Sequence, residues 1–280
     1  MRTFSFEFFP PKDEIAAVDF GINIGRLLRL SPSFVTVTYG AGGSNRERTF
    51  ALVDYLHNKI GLNTVAHYTC VEASREKIVA DLATLHAMGI GRLMLLRGDP
   101  QKGSDRFHAP AEGCANASEL IALTRSLYGD AFSIGGGAYP EKHPEAASLE
   151  ADIQNLKRKV EAGCDFLITQ FFFDNNRYFD FVAQARAAGI ECPIIPGILP
   201  ITQYDQLARF VRISGASLPI RFVEELEANK AHPERIVQIG RDHAVAQCRN
   251  LLEMGAPGIH FYTLNKSRAT IEIFERLLGA

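Results

Sequence analysis

Short apolar runs alternate with amphipathic stretches along the chain, and this alternation is the strongest constraint on its fold. The apolar runs predict strands at 3–8, 34–39, 63–69, 92–97, 132–138, 165–171, 193–198 and 258–262. The stretches between them predict helices at 14–30, 46–60, 74–88, 116–128, 149–162, 175–188, 203–212, 233–254 and 267–278, with a short helix at 221–228. Because helices follow strands throughout, the strands are expected to run parallel.

About eight strand–helix units over this length fit a closed α/β barrel of the (β/α)8 TIM type, with residues 1–280 forming a single domain. The alternative is an open doubly wound sheet, which would place a glycine-rich phosphate loop after its first strand. That position holds Pro10-Pro11 instead, and this favours the barrel.

Composition narrows the class of protein. The chain is 46% hydrophobic and 22% charged over 280 residues, which is enough to bury a large core. Its net charge of −2 provides no basic field for nucleic acid, and no apolar run approaches the roughly 20 residues of a membrane span. The five cysteines lack zinc spacing, and the early first strand leaves no room for a signal peptide. We expect a cytoplasmic protein with reduced thiols and neither nucleic-acid nor membrane partners.

Polar residues collect where the predicted strands end, and in a barrel this is where chemistry occurs. They are Glu7, Thr36, Thr38, Tyr39, His67, Thr69, Arg97, Asp99, Tyr139, Gln170, Asn265 and Lys266. Alternation along the fourth strand predicts that Arg97 and Asp99 share the face of Leu93 and Leu95. Polar groups that end apolar runs need partners, and a ligand can be one of them.

Glu7 lies in the most aromatic run near the N-terminus. Alternation puts Phe4, Phe6 and Phe8 on one face of the strand, and Ser5, Glu7 and Phe9 on the other. Burial among these rings would favour the protonated acid, which can serve as a general acid. The alternative is a carboxylate that faces solvent or pairs with a cation.

Two other residues at strand ends allow both a structural and a functional interpretation. His67 is either a satisfied core histidine or a ligand contact. Asp99 can cap a helix, pair with Arg97 or serve a ligand.

Two segments could hold phosphate. Gly40-x-Gly42-Gly43 can be either a phosphate-binding loop or a flexible turn. On the helix at 149–162, Asp152, Asn155 and Lys159 recur at i, i+3 and i+7, with Arg158 beside them. That helix face is either solvated or holds a diphosphate, and His143 in the preceding loop can join it. By contrast, Gly135-Gly136-Gly137 predicts close backbone packing in a strand.

These motifs together resemble the methylenetetrahydrofolate reductase family in its short bacterial form. The motifs are Phe6-Glu-Phe-Phe-Pro-Pro11, Val37-Thr-Tyr-Gly-Ala41, Arg97-Gly-Asp99, Tyr139-Pro-Glu-Lys-His143-Pro-Glu145, Asn155-Leu-Lys-Arg-Lys159, Thr169-Gln-Phe-Phe-Phe-Asp174, Pro196-Gly-Ile-Leu-Pro200 and His260-Phe-Tyr-Thr-Leu-Asn265. Each is weak alone, but they occur in the family's order with similar spacing from about residue 3 to residue 279.

The resemblance implies a barrel that binds FAD non-covalently without a Rossmann domain. It implies a ping-pong reaction in which NADH or NADPH reduces the flavin, and the flavin then reduces 5,10-methylenetetrahydrofolate to 5-methyltetrahydrofolate. Glu7 matches the general acid that protonates the departing folate nitrogen. Asp99 matches a carboxylate near flavin and pterin that stabilises the developing cation.

The family's binding residues also carry over. Flavin contacts match Tyr39, Ala41, His67, Arg97, Gly98, Asp99, Ala117, Tyr139, His143, Ala146, Asp152, Asn155, Arg158 and Lys159. Folate or nicotinamide contacts match Thr38, Gln170, Gln206, Phe210 and Lys266.

The chain departs from the family in three respects. Lys266 stands where the family usually has an arginine for the folate's glutamate tail, and lysine lacks the bidentate fork. The loop at 100–113 differs in length and sequence, so its flavin contacts are not assigned. The chain also lacks a helical extension before the first strand, so a homo-oligomer stays open, as does the choice between NADH and NADPH.

The sequence also allows two functions other than that of a reductase. One is a metal-dependent barrel lyase or hydrolase that uses Glu7, His67 and Asp99 as ligands, although their scatter disfavours it. The other is a non-catalytic flavin- or folate-binding protein, which would leave Glu7 idle.

Overall fold

The structure, a computed structural model, describes residues 2–40, 46–99 and 112–278. Within these residues the strands are β1 (Thr3–Phe8), β2 (Phe34–Val37), β3 (Thr64–Thr69), β4 (Arg92–Leu96), β5 (Ser133–Ala138), β6 (Phe166–Thr169), β7 (Ile194–Ile195), β8 (Gly197–Ile198) and β9 (Gly258–Tyr262). The helices are α1 (Glu14–Leu27), α2 (Arg46–Asp54), α3 (Arg75–Ala87), α4 (Ala117–Tyr128), α5 (Leu149–Glu161), α6 (Asn175–Ala187), α7 (Tyr204–Ser214), α8 (Ile220–Ala228), α9 (Pro233–Glu253) and α10 (Arg268–Leu278). Every predicted strand and helix is present, with ends shifted by a few residues.

The strands form one parallel sheet in the order β7-β6-β5-β4-β3-β2-β1-β9-β8. Strands β7 and β8 are two halves of one predicted strand, separated by Pro196, whose nitrogen cannot donate a hydrogen bond. One half pairs with β6 and the other with β9, so the ends of the sheet meet at this residue. The predicted (β/α)8 barrel is therefore confirmed, with the helices outside it.

The pleat of β1 divides its side chains between the two sides of the barrel wall. Phe4 packs on Phe274 of α10 with ring centroids 4.8 Å apart, and Phe8 packs on Phe20 of α1 at 5.6 Å. Ser5 and Glu7 are buried on the opposite face, inside the barrel. The rings of Phe4 and Phe8 therefore pack against helices and do not surround Glu7, whose neighbours come from other strands.

The interior below this polar layer is filled by apolar side chains. Val65, Met94, Ile168 and Ile195 form a buried cluster, against which Phe166 packs. Side chains pack so tightly against the backbone of β5 that a Cβ on Gly135 would lie 2.5 Å from the Phe166 ring. This confirms the prediction of close backbone packing for the glycine run of β5.

The cysteines are free thiols, as predicted. Burial raises the pKa of Cys70 and of Cys164 to about 12, so both stay protonated and inert at neutral pH. Within the described residues, no helix has the length and apolar character needed to cross a membrane.

Asp81 on α3 joins the helices to the barrel wall. It is 2% exposed, and it accepts hydrogen bonds from Arg46 Nε at 2.6 Å, Lys77 Nζ at 2.9 Å and Tyr68 Oη at 3.0 Å. Burial alone would raise the pKa of Asp81, but the hydrogen bonds from Arg46, Lys77 and Tyr68 outweigh it and lower that pKa below its ordinary value. The ionised carboxylate is thus part of the folded state.

We expect Asp81→Asn to lower the free energy of unfolding by about 2–3 kcal/mol at pH 7, because it removes the buried charge to which all three side chains donate. A carboxyl whose pKa is depressed by folding adds stability above its unfolded pKa and loses it as pH falls through the folded value. The difference between wild type and Asp81→Asn in urea unfolding should therefore narrow below about pH 4. Asp180→Asn, at an exposed position on α6, is the control. An equal loss there, or a difference independent of pH, would contradict the assignment.

Candidate active site

A cavity of about 590 Å³ opens over the C-terminal ends of β2, β3, β4 and β5. Volumes of this size are typical of small-molecule and cofactor sites. Predicted cofactor residues that line it are Tyr39, Arg97, Gly98, Asp99, Ala117, Tyr139, His143, Ala146, Asp152, Asn155, Arg158 and Lys159. Of the other two, His67 faces Glu7, as described below, and Ala41 lies outside the described residues.

One wall of the cavity is the face of α5 that the i, i+3, i+7 spacing predicted. Lys159 Nζ donates a 2.6 Å hydrogen bond to the carbonyl of Gly137 on β5, and burial lowers the pKa of that lysine. Arg158 donates to the side chain of Asn155. Asp152 accepts a 2.8 Å hydrogen bond from the backbone N–H of His143, which brings that loop to the helix. The wall therefore presents two cations near the end of β5.

Arg97 forms a bidentate ion pair with Glu145, at 2.6 and 2.8 Å. The hydrogen bonds that Arg97 donates to Glu145 raise the pKa of Arg97 and lower the pKa of Glu145. The predicted alternation fails here, because β4 ends at Leu96 and Gly98 then turns the chain at φ +94°. The whole segment from Leu96 to Asp99 thus lines the cavity.

Two tyrosines line the same cavity. Tyr39 packs on Tyr68 with centroids 5.2 Å apart, and Tyr139 meets His143 edge-on at 4.7 Å. Burial raises the pKa of Tyr39 and of Tyr139 to about 12. Both phenols are therefore neutral at physiological pH and can act as hydrogen-bond donors.

Glu7 lies inside the barrel among histidines. Its Oε2 is 3.9 Å from His67 Nε2 and 4.0 Å from His260 Nε2, and the residue is only 7% exposed. Burial lowers the pKa of His67 to about 4, although the charge of Glu7 opposes this, so His67 is neutral at pH 7. The His67 ring nitrogen Nε2 is buried and, within the described residues, has no hydrogen-bond partner.

His67 and Thr69 connect Glu7 to the cavity, because they lie two residues apart on β3. Thr69 lines the cavity, and its buried hydroxyl also lacks a hydrogen-bond partner in the described part of the chain. Buried polar atoms are usually satisfied in native proteins. Unpaired atoms on both residues are therefore places where a ligand or water can bind.

The predicted substrate residues lie around the same end of the barrel. Phe171 meets Phe210 of α7 at 6.0 Å and Tyr262 at 5.9 Å between centroids, and Tyr262 is the β9 partner of Glu7 in register. Gln170 lies next to Phe171 and accepts its backbone hydrogen bond at 3.0 Å. Gln206 is half-buried one turn before Phe210.

Thr38 and Lys266 are positioned by backbone contacts to the end of β1. The backbone N–H of Thr38 donates to the Phe8 carbonyl at 2.9 Å. Lys266 is exposed, in a turn where Thr263 donates to the carbonyl of Glu7 at 2.7 Å. Both residues therefore lie at the same end of the barrel as Glu7.

Several residues without a predicted role belong to this site. Glu145 pairs with Arg97, and Asn116 and Glu119 cap α4 beside the cavity. Ser5 and His260 are inside the barrel with Glu7. The signal for the last two was the strand period, since Ser5 precedes Glu7 by two residues and His260 precedes Tyr262 by two.

Within the described residues, no group of three or more His, Cys, Asp and Glu side chains is arranged to hold a metal ion. Glu7 and His67 are close to each other, whereas Asp99 lines the cavity beside Arg97. The proposed metal ligands of the lyase alternative therefore do not form such a group.

The sequence model of the family described as methylenetetrahydrofolate reductase matches residues 1–278. The chain belongs to this family. Its curated relatives include the 5,10-methylenetetrahydrofolate reductases of Pectobacterium carotovorum, 37% identical, and Escherichia coli, 35% identical. Each match covers 98% of this chain, and it covers 89% and 90% of those two proteins, respectively.

Plant members of the reductase family are longer. Methylenetetrahydrofolate reductase (NADH) 1 of Arabidopsis thaliana is 37% identical over 98% of this chain, but the match covers 48% of the plant protein. The chain thus spans about half the length of the plant relatives it matches.

Solved structures support the fold alone. An uncharacterised protein from Clostridium thermocellum that binds two copies of 5-methyl-5,6,7,8-tetrahydrofolic acid superposes with a TM-score of 0.64. It is 16% identical, and the match covers 99% of this chain and 95% of that protein. At this identity the likeness concerns the architecture.

Gly98 provides a test of the cavity wall. A Cβ there would lie 2.8 Å from Val71 Cγ1 at a left-handed φ of +94°. We expect Gly98→Ala to cost about 2–4 kcal/mol of unfolding free energy, because backbone strain and a clash add. Gly61→Ala has a similar φ of +79° with nothing within 4 Å of the added Cβ and should cost only about 1 kcal/mol. Equal losses in chemical unfolding would exclude a contribution from the clash.

Proposed function

We propose that this protein reduces 5,10-methylenetetrahydrofolate to 5-methyltetrahydrofolate, with FAD as cofactor and NADH or NADPH as hydride donor in a ping-pong reaction. The observation that carries the proposal is the proximity of two features. Glu7, a buried carboxyl, lies next to His67, and Thr69 on the same strand lines the cavity at the strand ends. The reductases named above are its relatives over nearly its whole length.

The cavity residues fit a flavin dinucleotide. Lys159 and Arg158 supply cations for a diphosphate, and neighbouring backbone and amide oxygens already hold both side chains in place. Tyr39 and Tyr139 supply neutral hydroxyls and aromatic faces at the strand ends. The buried hydroxyl of Thr69 remains available to a polar ligand atom. When bound, FAD supplies the hydride-carrying ring system.

Glu7 supplies the proton that the folate reaction needs. The methylene group bridges two nitrogens, and it accepts a hydride only after one nitrogen leaves and the ring opens to an iminium cation. A carboxylic acid that protonates the departing nitrogen makes this opening possible. Glu7 is buried next to the neutral imidazole of His67, so bulk water does not replace it as the donor.

Asp99 contributes through its negative charge. It lines the cavity beside Arg97, where a negative charge stabilises the cation that develops on the folate. A second effect follows from the same charge, because a carboxylate near an electron acceptor lowers its electron affinity. Glu7 and Asp99 thus have opposite tasks, one as proton donor and one as fixed charge.

The remaining predicted residues bind and orient the substrates. Phe210 offers an aromatic face next to Phe171, and Gln170 offers an amide beside the same ring. Thr38 and Gln206 add polar contacts for the nicotinamide and the folate. Lys266 is exposed and can offer its ammonium group to the glutamate tail, although lysine binds a carboxylate less specifically than arginine.

The first test is flavin binding. We expect the purified protein to bind FAD, with the absorption spectrum of a flavoprotein, and Lys159→Gln to weaken FAD binding about 10- to 100-fold because a charged hydrogen bond is lost. Lys157→Gln, whose side chain pairs with Glu161 at 3.9 Å on the same helix, should leave FAD affinity unchanged. Riboflavin, which lacks the diphosphate, should bind wild type and Lys159→Gln equally. A protein that takes up no FAD would overturn the proposal.

The second test separates the two half-reactions by anaerobic stopped-flow spectroscopy. Glu7→Gln should reduce its flavin with NADH at nearly the wild-type rate, because that step needs no acid. Its reoxidation by methylenetetrahydrofolate should fall about 10²–10⁴-fold. Glu14→Gln, at an exposed position of α1, is the matched control. Equal losses in both half-reactions would contradict the acid role of Glu7.

A further inference from the structure

We propose that Ser5 and His260 act together as a positioning pair that supports Glu7 in both of its protonation states. The inference rests on the proposed role of Glu7 as a proton donor. A donor of this kind must be held in one place when it is protonated and again after it has given up the proton. Ser5 and His260 form a contact beside Glu7 that can hold its side chain in both states.

Ser5 and His260 are locked to each other inside the barrel. They are partners in register on β1 and β9, and Ser5 Oγ lies 2.8 Å from His260 Nδ1. Both residues are almost fully buried. Phe34 lies nearly parallel to the imidazole, with an interplanar angle of 12° and centroids 6.3 Å apart. His260 Nε2 is then held 4.0 Å from Glu7 Oε2.

The serine hydroxyl lets the imidazole change tautomer without rotating. A hydroxyl can donate or accept, whereas a neutral imidazole carries one N–H and one lone pair. When Ser5 donates to Nδ1, Nε2 carries the hydrogen and offers a donor towards ionised Glu7. When Nδ1 donates to Ser5, Nε2 offers an acceptor towards protonated Glu7. Across 4.0 Å a single water molecule can relay either interaction.

The other groups around Glu7 do not duplicate this device. Burial keeps His67 neutral, with its pKa lowered to about 4, and its Nε2 has no hydrogen-bond partner among the described residues. Tyr262 donates its hydroxyl to the Thr169 carbonyl at 2.7 Å, and burial raises the pKa of Tyr262 well above its ordinary value. Thr36, opposite Glu7 in register on β2, is uncharged. Among the described residues around Glu7, only His260 has its second ring nitrogen in contact with a hydroxyl, which can either donate or accept.

The test compares Ser5→Ala with Ser5→Thr, which retains the hydroxyl. We expect Ser5→Ala to slow flavin reoxidation by methylenetetrahydrofolate about tenfold, since a buried partner is lost, while flavin reduction by NADH keeps its wild-type rate. Ser5→Thr should restore the folate step. Equal slowing of both half-reactions by Ser5→Ala would overturn the proposal, because it would indicate a structural role.

A spectroscopic readout does not depend on turnover. The infrared carbonyl band of protonated Glu7, identified by its loss in Glu7→Gln, reports the hydrogen bonding of this residue in the flavin-free protein. The frequency of that band should shift in Ser5→Ala, where no hydroxyl holds the imidazole of His260, and should return in Ser5→Thr. An unchanged band frequency in Ser5→Ala would overturn the proposal even if the protein proved not to reduce folates.

A double-mutant cycle covers the case in which Ser5→Thr does not fold. His260→Gln should slow the folate step as Ser5→Ala does, and the double variant should be no slower than His260→Gln alone. Effects that simply multiply would mean that Ser5 and His260 act independently, which contradicts a positioning pair. A wild-type protein without any folate reaction would instead reject the proposed function, and the infrared band of Glu7 would still decide the present inference.

Discussion

The site depends on the strict alternation of β1 across a closed barrel wall. Because successive side chains of a strand point to opposite faces, the phenylalanines that bind β1 to α1 and α10 cannot also surround Glu7. The carboxyl is instead placed in the interior, where β3 and β9 present His67 and His260. A one-residue change of register would exchange these two sets. The same pleat that places the apolar side chains of β1 in the core therefore also fixes the position of Glu7.

Local sequence predicts the elements well because helix and strand periods are local properties, but it predicts their ends less well. Strand β4 stops at Leu96, since Gly98 adopts a left-handed φ, and the seventh predicted strand divides at Pro196. Two arguments predicted the positions of the cavity residues. One is the rule that the active site of a barrel lies at the C-terminal ends of its strands, and the other is the resemblance to the reductase family. The pairs that build the site, such as Arg97 with Glu145, join residues far apart in sequence, and no period in the sequence reports them.

The cationic side chains of the cavity already have hydrogen-bond partners within the protein. Arg97 is held by Glu145, and Lys159 is held by the Gly137 carbonyl. On the proposed function, a diphosphate bound here would compete for donors that already have partners, so part of its binding energy would offset broken contacts. The same contacts keep long side chains ordered before binding, which reduces the entropy lost on association. Affinity for a cofactor then depends on this exchange and less on the number of cations.

A buried acid that must lose and regain a proton poses a further physical problem. In a low-dielectric interior a partner suited to the carboxylic acid is unsuited to the carboxylate, and an unsatisfied polar group there costs about 1–3 kcal/mol. A charged lysine or arginine beside Glu7 would solve half of the problem, because it would stabilise only the ionised form. A neutral imidazole whose far nitrogen meets the Ser5 hydroxyl can serve both forms without adding net charge. A polar layer of this kind inside an apolar barrel therefore suits repeated proton transfer.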